Sequence, residues 1–311
     1  TRRSSDLNAG HEDTPDDESY VRETGHPAYR ADDALWLFPT IYKYIAESGD
    51  LEFLNEDIVY ANKDHGTVYD HLKRAIQFSF DHLGPHNMLA GLYADWNDCL
   101  RLGANGESTF VALQFYYALN MMEEIAAFEK DDAYKTYAAE KKAELGKIIN
   151  DCCWDEDRFI RGYTEAGERI GERKAPEANM WLNPQSWAVI SGLATPEQAD
   201  VAMQNVNDKL NSDFGAVLMD PPYHSHAFEG ALAVIYNQGS KENAGIFNHT
   251  QGWGVIAEAM LGNGDRAYEY CKASIPAAYN DKAEIRQSEP YVVGQTTYST
   301  FSKRPGNTRT S

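Results

Sequence analysis

The stretch Tyr93-Ala94-Asp95-Trp96-Asn97-Asp98-Cys99-Leu100 sets two carboxylates around an indole and an amide, and Arg101, Gly103, Gly106 and Glu107 follow at once. That composition suits a loop facing a sugar better than a core segment. Breaking a glycosidic bond calls for an aromatic plate under the C–H face of the ring, fixed hydrogen-bonding groups for the hydroxyls, and a carboxylic acid to protonate the leaving oxygen. The octapeptide holds all three. Taken alone it has a second reading, an Asp capping a helix N-terminus. In the chemical reading, an acid held in a loop against Trp96 has a raised pKa and acts as general acid.

Other candidates are weaker singly. His249 sits between Asn248 and Thr250, just before Gln251-Gly252-Trp253. A lone histidine at a helix start is most often structural. This one follows a glycine-bearing loop containing Lys241, so Lys241, His249 and backbone N–H groups could hold an anion together. Gln295 reads first as a buried amide satisfying backbone groups. Arg30, Asp32 and Asp33, ahead of Leu35-Trp36-Leu37, read as a capped helix start, and Glu107-Ser108 as the opening of a long helix. Glu229 and Tyr236 lie in a long loop where they could touch substrate.

Helices must position these groups. Leu37, Ile41, Tyr44 and Ile45 repeat at helical spacing until Ser48-Gly49, with Pro39 as a kink or a late start. Val68, Leu72, Ala75, Ile76, Ser79 and Leu83 predict a second helix stopped by Gly84-Pro85, and the stripe Phe110, Leu113, Tyr117, Met121, Ile125 and Phe128 a long third. A fourth runs from Tyr134 to Ile149, and Gly162 to Gly171 reads as a hairpin or loop. A helix around Trp187 precedes Thr195-Pro196-Glu197-Gln198, a capping box with Pro at the first helical position. Residues 212–248 read as a long loop region with one short helix, and helices return at 251–261 and 265–273. Helix hairpins without βαβ alternation favour a toroid of paired helices over a two-layer bundle. Residues 1–28 are polar and acidic, an exposed lead-in.

Composition narrows the partners. A net charge of −20 over 311 residues disfavours nucleic acid and anionic lipid, so an anionic substrate needs a local positive cluster. No run of about eighteen apolar residues occurs, and the N-terminus lacks an apolar export region, which predicts a soluble chain. The four cysteines, Cys99, Cys152, Cys153 and Cys271, lack paired C-x-x-C spacing, so reduced cytoplasmic thiols are expected in place of a disulfide framework or zinc site.

Six segments in order resemble the catalytic domain of glycoside hydrolase family 94, the inverting β-glycoside phosphorylases: RADDALWL (30–37), ADWNDCL (94–100) with GES (106–108), NPQSWAVISGLAT (183–195), KENAGIFNHTQGW (241–253), EAMLGNGDRAYEY (258–270) and EIRQSEPYVVGQ (284–295). The resemblance runs from about residue 29 to the last residue. It implies an (α/α)6 barrel, seen here in part, with Asp98 as general acid and Trp96 in the donor-sugar subsite. It also implies His249 as a phosphate ligand, Gln295 near phosphate and donor sugar, and Lys241 and Tyr236 on the acceptor side. Inorganic phosphate would be the nucleophile and co-substrate, with no cofactor and no metal, in a homodimeric enzyme acting on a β-linked disaccharide. An upstream R-D-x-x-Q-D segment and a downstream Trp-Leu-Thr-Gly segment of the family are not found, so the resemblance implies a piece of a larger enzyme, 29–311 being barrel. An inverting hydrolase on the same fold and a sugar-binding helical protein without chemistry are the alternatives.

Overall fold

A computed structural model of the chain describes residues 30–60, 64–225, 227–228, 230–289 and 291–309. The lead-in of residues 1–28, Tyr29, Glu229 and Pro290 lie outside the described residues. The chain divides into two compact units. One holds the residues up to Cys152 together with Tyr163–Gly167, the other Cys153–Gly162 and the residues from Glu168 onward. With 51% of the chain helical and strands of two to six residues, the fold is mostly α. No helix among the described residues is long and apolar enough to cross a membrane.

In the first unit a 3-10 turn, Asp33–Trp36, leads into α1 (Leu37–Ser48), which Gly49 closes in the left-handed conformation at φ 73°. Pro39 falls in the first turn of α1, where its missing N–H costs no intrahelical bond, so it marks the start of the helix. A 3-10 turn (Leu51–Asn55) and a short hairpin, β1 (Asp57–Val59) with β2 (His65–Thr67), precede α2 (Val68–Asp81). Thr67 and Asp70 form a capping box at its start, which the apolar spacing did not reveal. Then come β3 (Ala90–Leu92), β4 (Gly103–Ser108), α3 (Thr109–Phe128) and α4 (Asp132–Cys153). Helix α3 packs against both α1 and α2. Its Phe110, Leu113, Phe115, Leu119 and Met122 are wholly buried, each contributing roughly 1.5–3 kcal/mol in apolar burial. The packing fixes one end of the antiparallel β3–β4 pair, and the Tyr93–Leu100 loop joins those two strands.

The second unit begins with the hairpin β5 (Trp154–Asp155) and β6 (Arg158–Phe159). Short strands β7 (Gly162–Tyr163), whose Tyr163 is counted with the first unit, and β8 (Arg169–Ile170) mark the segment expected as a hairpin or loop. Strand β9 (Met180–Trp181) runs into α5 (Leu182–Ile190), and α6 (Pro196–Lys209) opens on the capping box of Thr195 and Gln198. Strand β10 (Met219–Asp220) pairs with β9, and a 3-10 turn, Leu232–Ile235, is the short helix of the long loop region. Strand β11 (Ile246–Phe247), α7 (Asn248–Met260), α8 (Gly264–Ser274), the short α9 (Ala283–Arg286), β12 (Thr296–Thr297) and β13 (Thr308–Arg309) complete the unit. Helix α5 packs on α6 and α7, and α7 on α8. Met180, Leu182, Met203, Val206, Leu210, Val217, Ile246, Ala257 and Tyr270 form the shared core.

Candidate functional site

In the first unit the Tyr93–Leu100 segment is a loop and not a helix start. Two side chains take the place of helical hydrogen bonds: Asp95 Oδ1 accepts the Asn97 N–H at 2.9 Å, and Asn97 Oδ1 accepts the Cys99 N–H at 3.1 Å. The second oxygen of Asp95 accepts the Ser108 hydroxyl at 2.7 Å, and that hydroxyl also caps α3 by accepting the Val111 N–H. Asp95 is therefore a buried structural anchor. Asp98, three residues on, has a side chain 65% exposed. Trp96 between them is half-buried. The loop thus sorts its two acids, one tied inward and one presented outward.

Asp98 Oδ1 accepts from Arg30 Nε at 2.9 Å. Arg30 is fixed by backbone bridges to Leu92 and Ala94, and its guanidinium lies 4.5 Å from the centre of the Tyr93 ring. Arg101 covers the same ring at 4.4 Å and donates to its hydroxyl at 2.6 Å. Asp32, wholly buried, is pushed up to about 8 by loss of hydration, with the nearby charges of Asp33 and Asp95 adding to the effect. It accepts the Trp36 indole N–H at 2.8 Å and caps no helix, so the capped-start reading of Asp32 is corrected: the segment turns inward before α1 begins. Glu107, fully buried, accepts the backbone N–H groups of His86 and Met88 at 2.8 and 3.2 Å as well as the His86 ring, and this clamps the end of β4.

In the second unit, β11 and β12 pair antiparallel, with Phe247 opposite Thr296. The next pair outward is Asn248 with Gln295: the Asn248 N–H donates to the Gln295 carbonyl at 3.1 Å, and the Asn248 side chain donates to the Gly294 carbonyl. His249 is thereby one residue along from the partner of Gln295. Gln295 is exposed and its side-chain oxygen accepts from the Lys241 ammonium, which overturns its reading as a buried amide. Lys241 sits at φ 50°, left-handed for a residue with a Cβ, in a turn where the Gly245 N–H donates to the Lys241 carbonyl at 2.9 Å. A Cβ on Gly245 would come within 2.5 Å of that carbonyl, so the turn requires glycine there. The sequence therefore accepts a disfavoured backbone to aim Lys241 at Gln295.

His249 is the second residue of α7, its ring 4.7 Å from that of Trp253, which in turn meets Trp187 edge-on at 5.7 Å. Much of His249 is open to solvent, but the loss of hydration on its packed side pushes the imidazole down from its ordinary range. Tyr236 ends the 3-10 turn and lines a cleft of about 600 Å³ that also involves Tyr223, Phe301 and Arg304. Lys241, His249 and Gln295 do not line that cleft. Among the described residues no three His, Cys, Asp or Glu side chains come together as a metal would need. The sequence reading overlooked Arg30 as the partner of Asp98 and Tyr93 as the plate between two guanidiniums. Arg101, eight residues after Tyr93, lies close in the sequence, whereas Arg30 reaches the loop from more than sixty residues away, which local pattern does not encode.

The architecture is shared with solved glycosidases. A rhamnosidase from Klebsiella oxytoca with rhamnose bound matches at TM-score 0.57 over 89% of this chain and 43% of that one, at 14% identity. A GH78 family rhamnosidase of Bacillus sp. GL1 matches at 0.56 over 90% and 24%, also at 14%. The fold they define is mostly α, of the (α/α)-barrel kind.

The chain belongs to the Glycosyl hydrolase 94 superfamily, whose catalytic-domain model matches residues 6–311. The N,N'-diacetylchitobiose phosphorylase of Vibrio proteolyticus is 38% identical over 89% of this chain and 35% of that protein. The solabiose phosphorylase of Paenibacillus borealis is 29% identical over 91% and 37%, and a cellobionic acid phosphorylase of Neurospora crassa 28% over 83% and 32%. The chain spans about a third of the length of the curated relatives it matches.

Proposed function

We propose that the chain supplies part of the catalytic domain of an inverting disaccharide phosphorylase, with Asp98 as its general acid. The observation that carries this reading is the division of labour in the 93–100 loop: Asp95 is consumed by structure, while Asp98 is presented to solvent beside Trp96. Trp96 stacks under the donor sugar. His249 and Gln295 hold inorganic phosphate, and Lys241 and Tyr236 meet the acceptor sugar.

A phosphate oxygen attacks the anomeric carbon from the face opposite the leaving sugar. The bond from that carbon to the glycosidic oxygen breaks, and the oxygen takes the Asp98 proton, giving an α-sugar-1-phosphate and a free sugar. Inverting hydrolysis needs a second carboxylate to activate water. Phosphate is already a nucleophile at neutral pH, so one acid suffices and the remaining need is a cradle for its charge. His249, one residue along from the Asn248 that pairs with the exposed Gln295, is of that kind. To donate its proton, Asp98 exchanges Arg30 for the glycosidic oxygen.

The donor is a β-linked glucosyl or N-acetylglucosaminyl unit; the greater identity to the chitobiose enzyme favours the second. In this reading the working enzyme is a cytoplasmic homodimer, with phosphate as co-substrate and no metal. The test is turnover of N,N'-diacetylchitobiose and cellobiose with and without phosphate, for the wild type and Asp98→Asn. Phosphate-dependent release of sugar-1-phosphate, falling by about 10²–10⁴ in the variant, is expected. Free sugar released at the same rate without phosphate would establish the hydrolase instead.

A further inference from the structure

The cleft beside Tyr236 has a size and chemistry of its own. About 600 Å³ is room for a mono- or disaccharide. Its walls carry Tyr223, Tyr236 and Phe301, planar groups of the sort that pack on sugar C–H faces. At one edge stand Lys303 and Arg304, both exposed, and neither lies within ion-pair distance of a carboxylate among the described residues. The described lining has no Asp or Glu, in a chain with 48 acidic and 28 basic residues. Glu177, which adjoins it through His224, is paired with the ring of that histidine at 2.9 Å.

The walls are also held in place before any ligand arrives. Asn243, 1% exposed, donates to the carbonyls of Tyr223 and Tyr236, both at 3.0 Å, and accepts the Tyr223 N–H at 2.8 Å, so one buried amide ties both tyrosine segments together. The segment bearing the cations is fastened to the same turn. The Ser299 N–H donates to the Gly239 carbonyl at 2.9 Å, the Ser302 N–H to the Ser299 carbonyl at 3.0 Å, and the Arg304 N–H to the Ser302 hydroxyl at 3.2 Å. Gly239 lies so close that a Cβ there would fall 2.4 Å from the Ser302 nitrogen. A pair of adjacent cations carried on a fastened backbone at the edge of aromatic walls is suited to a ring with a negative group at one end.

We infer that this cleft binds a sugar bearing one anionic substituent, a carboxylate or a phosphate, with the ring against the aromatic walls and the anion on Lys303 and Arg304. Only the further role of that sugar as acceptor rests on the phosphorylase reading. Binding itself does not, and it is measured without glycosyl donor so that the two stand or fall apart.

Titration calorimetry on the full chain, in phosphate-free buffer at low salt, compares glucuronate, glucose 6-phosphate, glucose and inorganic phosphate. At least one of the two anionic sugars should bind about tenfold or more tightly than glucose, and more tightly than inorganic phosphate. Which of them prevails tells carboxylate from phosphate. Lys303→Gln with Arg304→Gln, two exposed positions whose replacement leaves the fold intact, should erase that preference; the unchanged far-ultraviolet dichroism of the variant serves as control. Equal binding of glucose, binding of inorganic phosphate as tight as that of the sugars, an undiminished preference in the double variant, or no binding by either anionic sugar would each overturn the inference.

Discussion

Replacing Asp32 by Asn changes how the stability of the first unit depends on pH. Asp32 is 2% exposed, one of its oxygens accepts from Trp36, and the other has no partner among the described residues. Its carboxyl titrates near 8 in the folded chain against 3.8 when exposed. An acid with a raised folded value leaves stability whole below its unfolded value and removes it as pH climbs toward the folded one. The loss therefore begins near pH 4 and ends near pH 8. Each pH unit in that window is worth about 1.4 kcal/mol, so by pH 7 the wild type has given up on the order of 4 kcal/mol. Asparagine keeps an oxygen for the Trp36 indole and never ionises. Urea unfolding of both proteins, followed by tryptophan fluorescence from pH 4 to 9, should show Asp32→Asn gaining on the wild type by about that amount between pH 4 and pH 7 and levelling off above 8. A stability difference that stays constant across the range would refute the assignment of a neutral, buried Asp32.

Three other outcomes are expected. Gly84→Ala puts a Cβ 2.3 Å from Glu107 Cγ, a side chain held by three donors and unable to yield, and denaturant midpoints should report a loss of about 1–3 kcal/mol. Thr195→Ala removes the acceptor for the Gln198 N–H at the head of α6 and should cost about 1 kcal/mol by the same measurement. His249 is held below its unfolded value, so it withdraws stability as pH falls through the unfolded range near 6.5. Thermal scans should therefore show His249→Gln losing less than the wild type between pH 8 and pH 5, and equal losses would contradict the packing of its ring on Trp253.

Much of the fold was legible because apolar spacing reports burial directly. Phe110 to Phe128 read as one helix because that face meets two others, and Thr195 with Gln198 read as a start because capping is local chemistry. The role of Asp95 was not legible, since a residue three before another acid says nothing of whether its partner is Ser108 or a sugar. Asp32 was misread for the same reason: an acid ahead of an apolar run usually caps it, and only its contact with Trp36 and its burial reveal the inward turn. Gln295 was expected inside because an amide amid mixed residues carries no period. Its exposure and its tie to Lys241 follow from a strand pairing across dozens of residues, which local pattern does not encode.

That pairing is only two residues long on each side, yet it decides what may vary around it. Asn248, and with it His249 one residue on, is set beside Gln295 by ladder register, not by the route the backbone takes from one to the other through α7, α8 and α9. Lengthening a flexible connection costs little, roughly 0.6 kcal/mol per doubling, whereas a slip of one rung turns every side chain to the opposite face. Insertions in the loop between α9 and β12 are therefore affordable to the lineage, and a single deletion inside Ile246–Phe247 or Thr296–Thr297 is not.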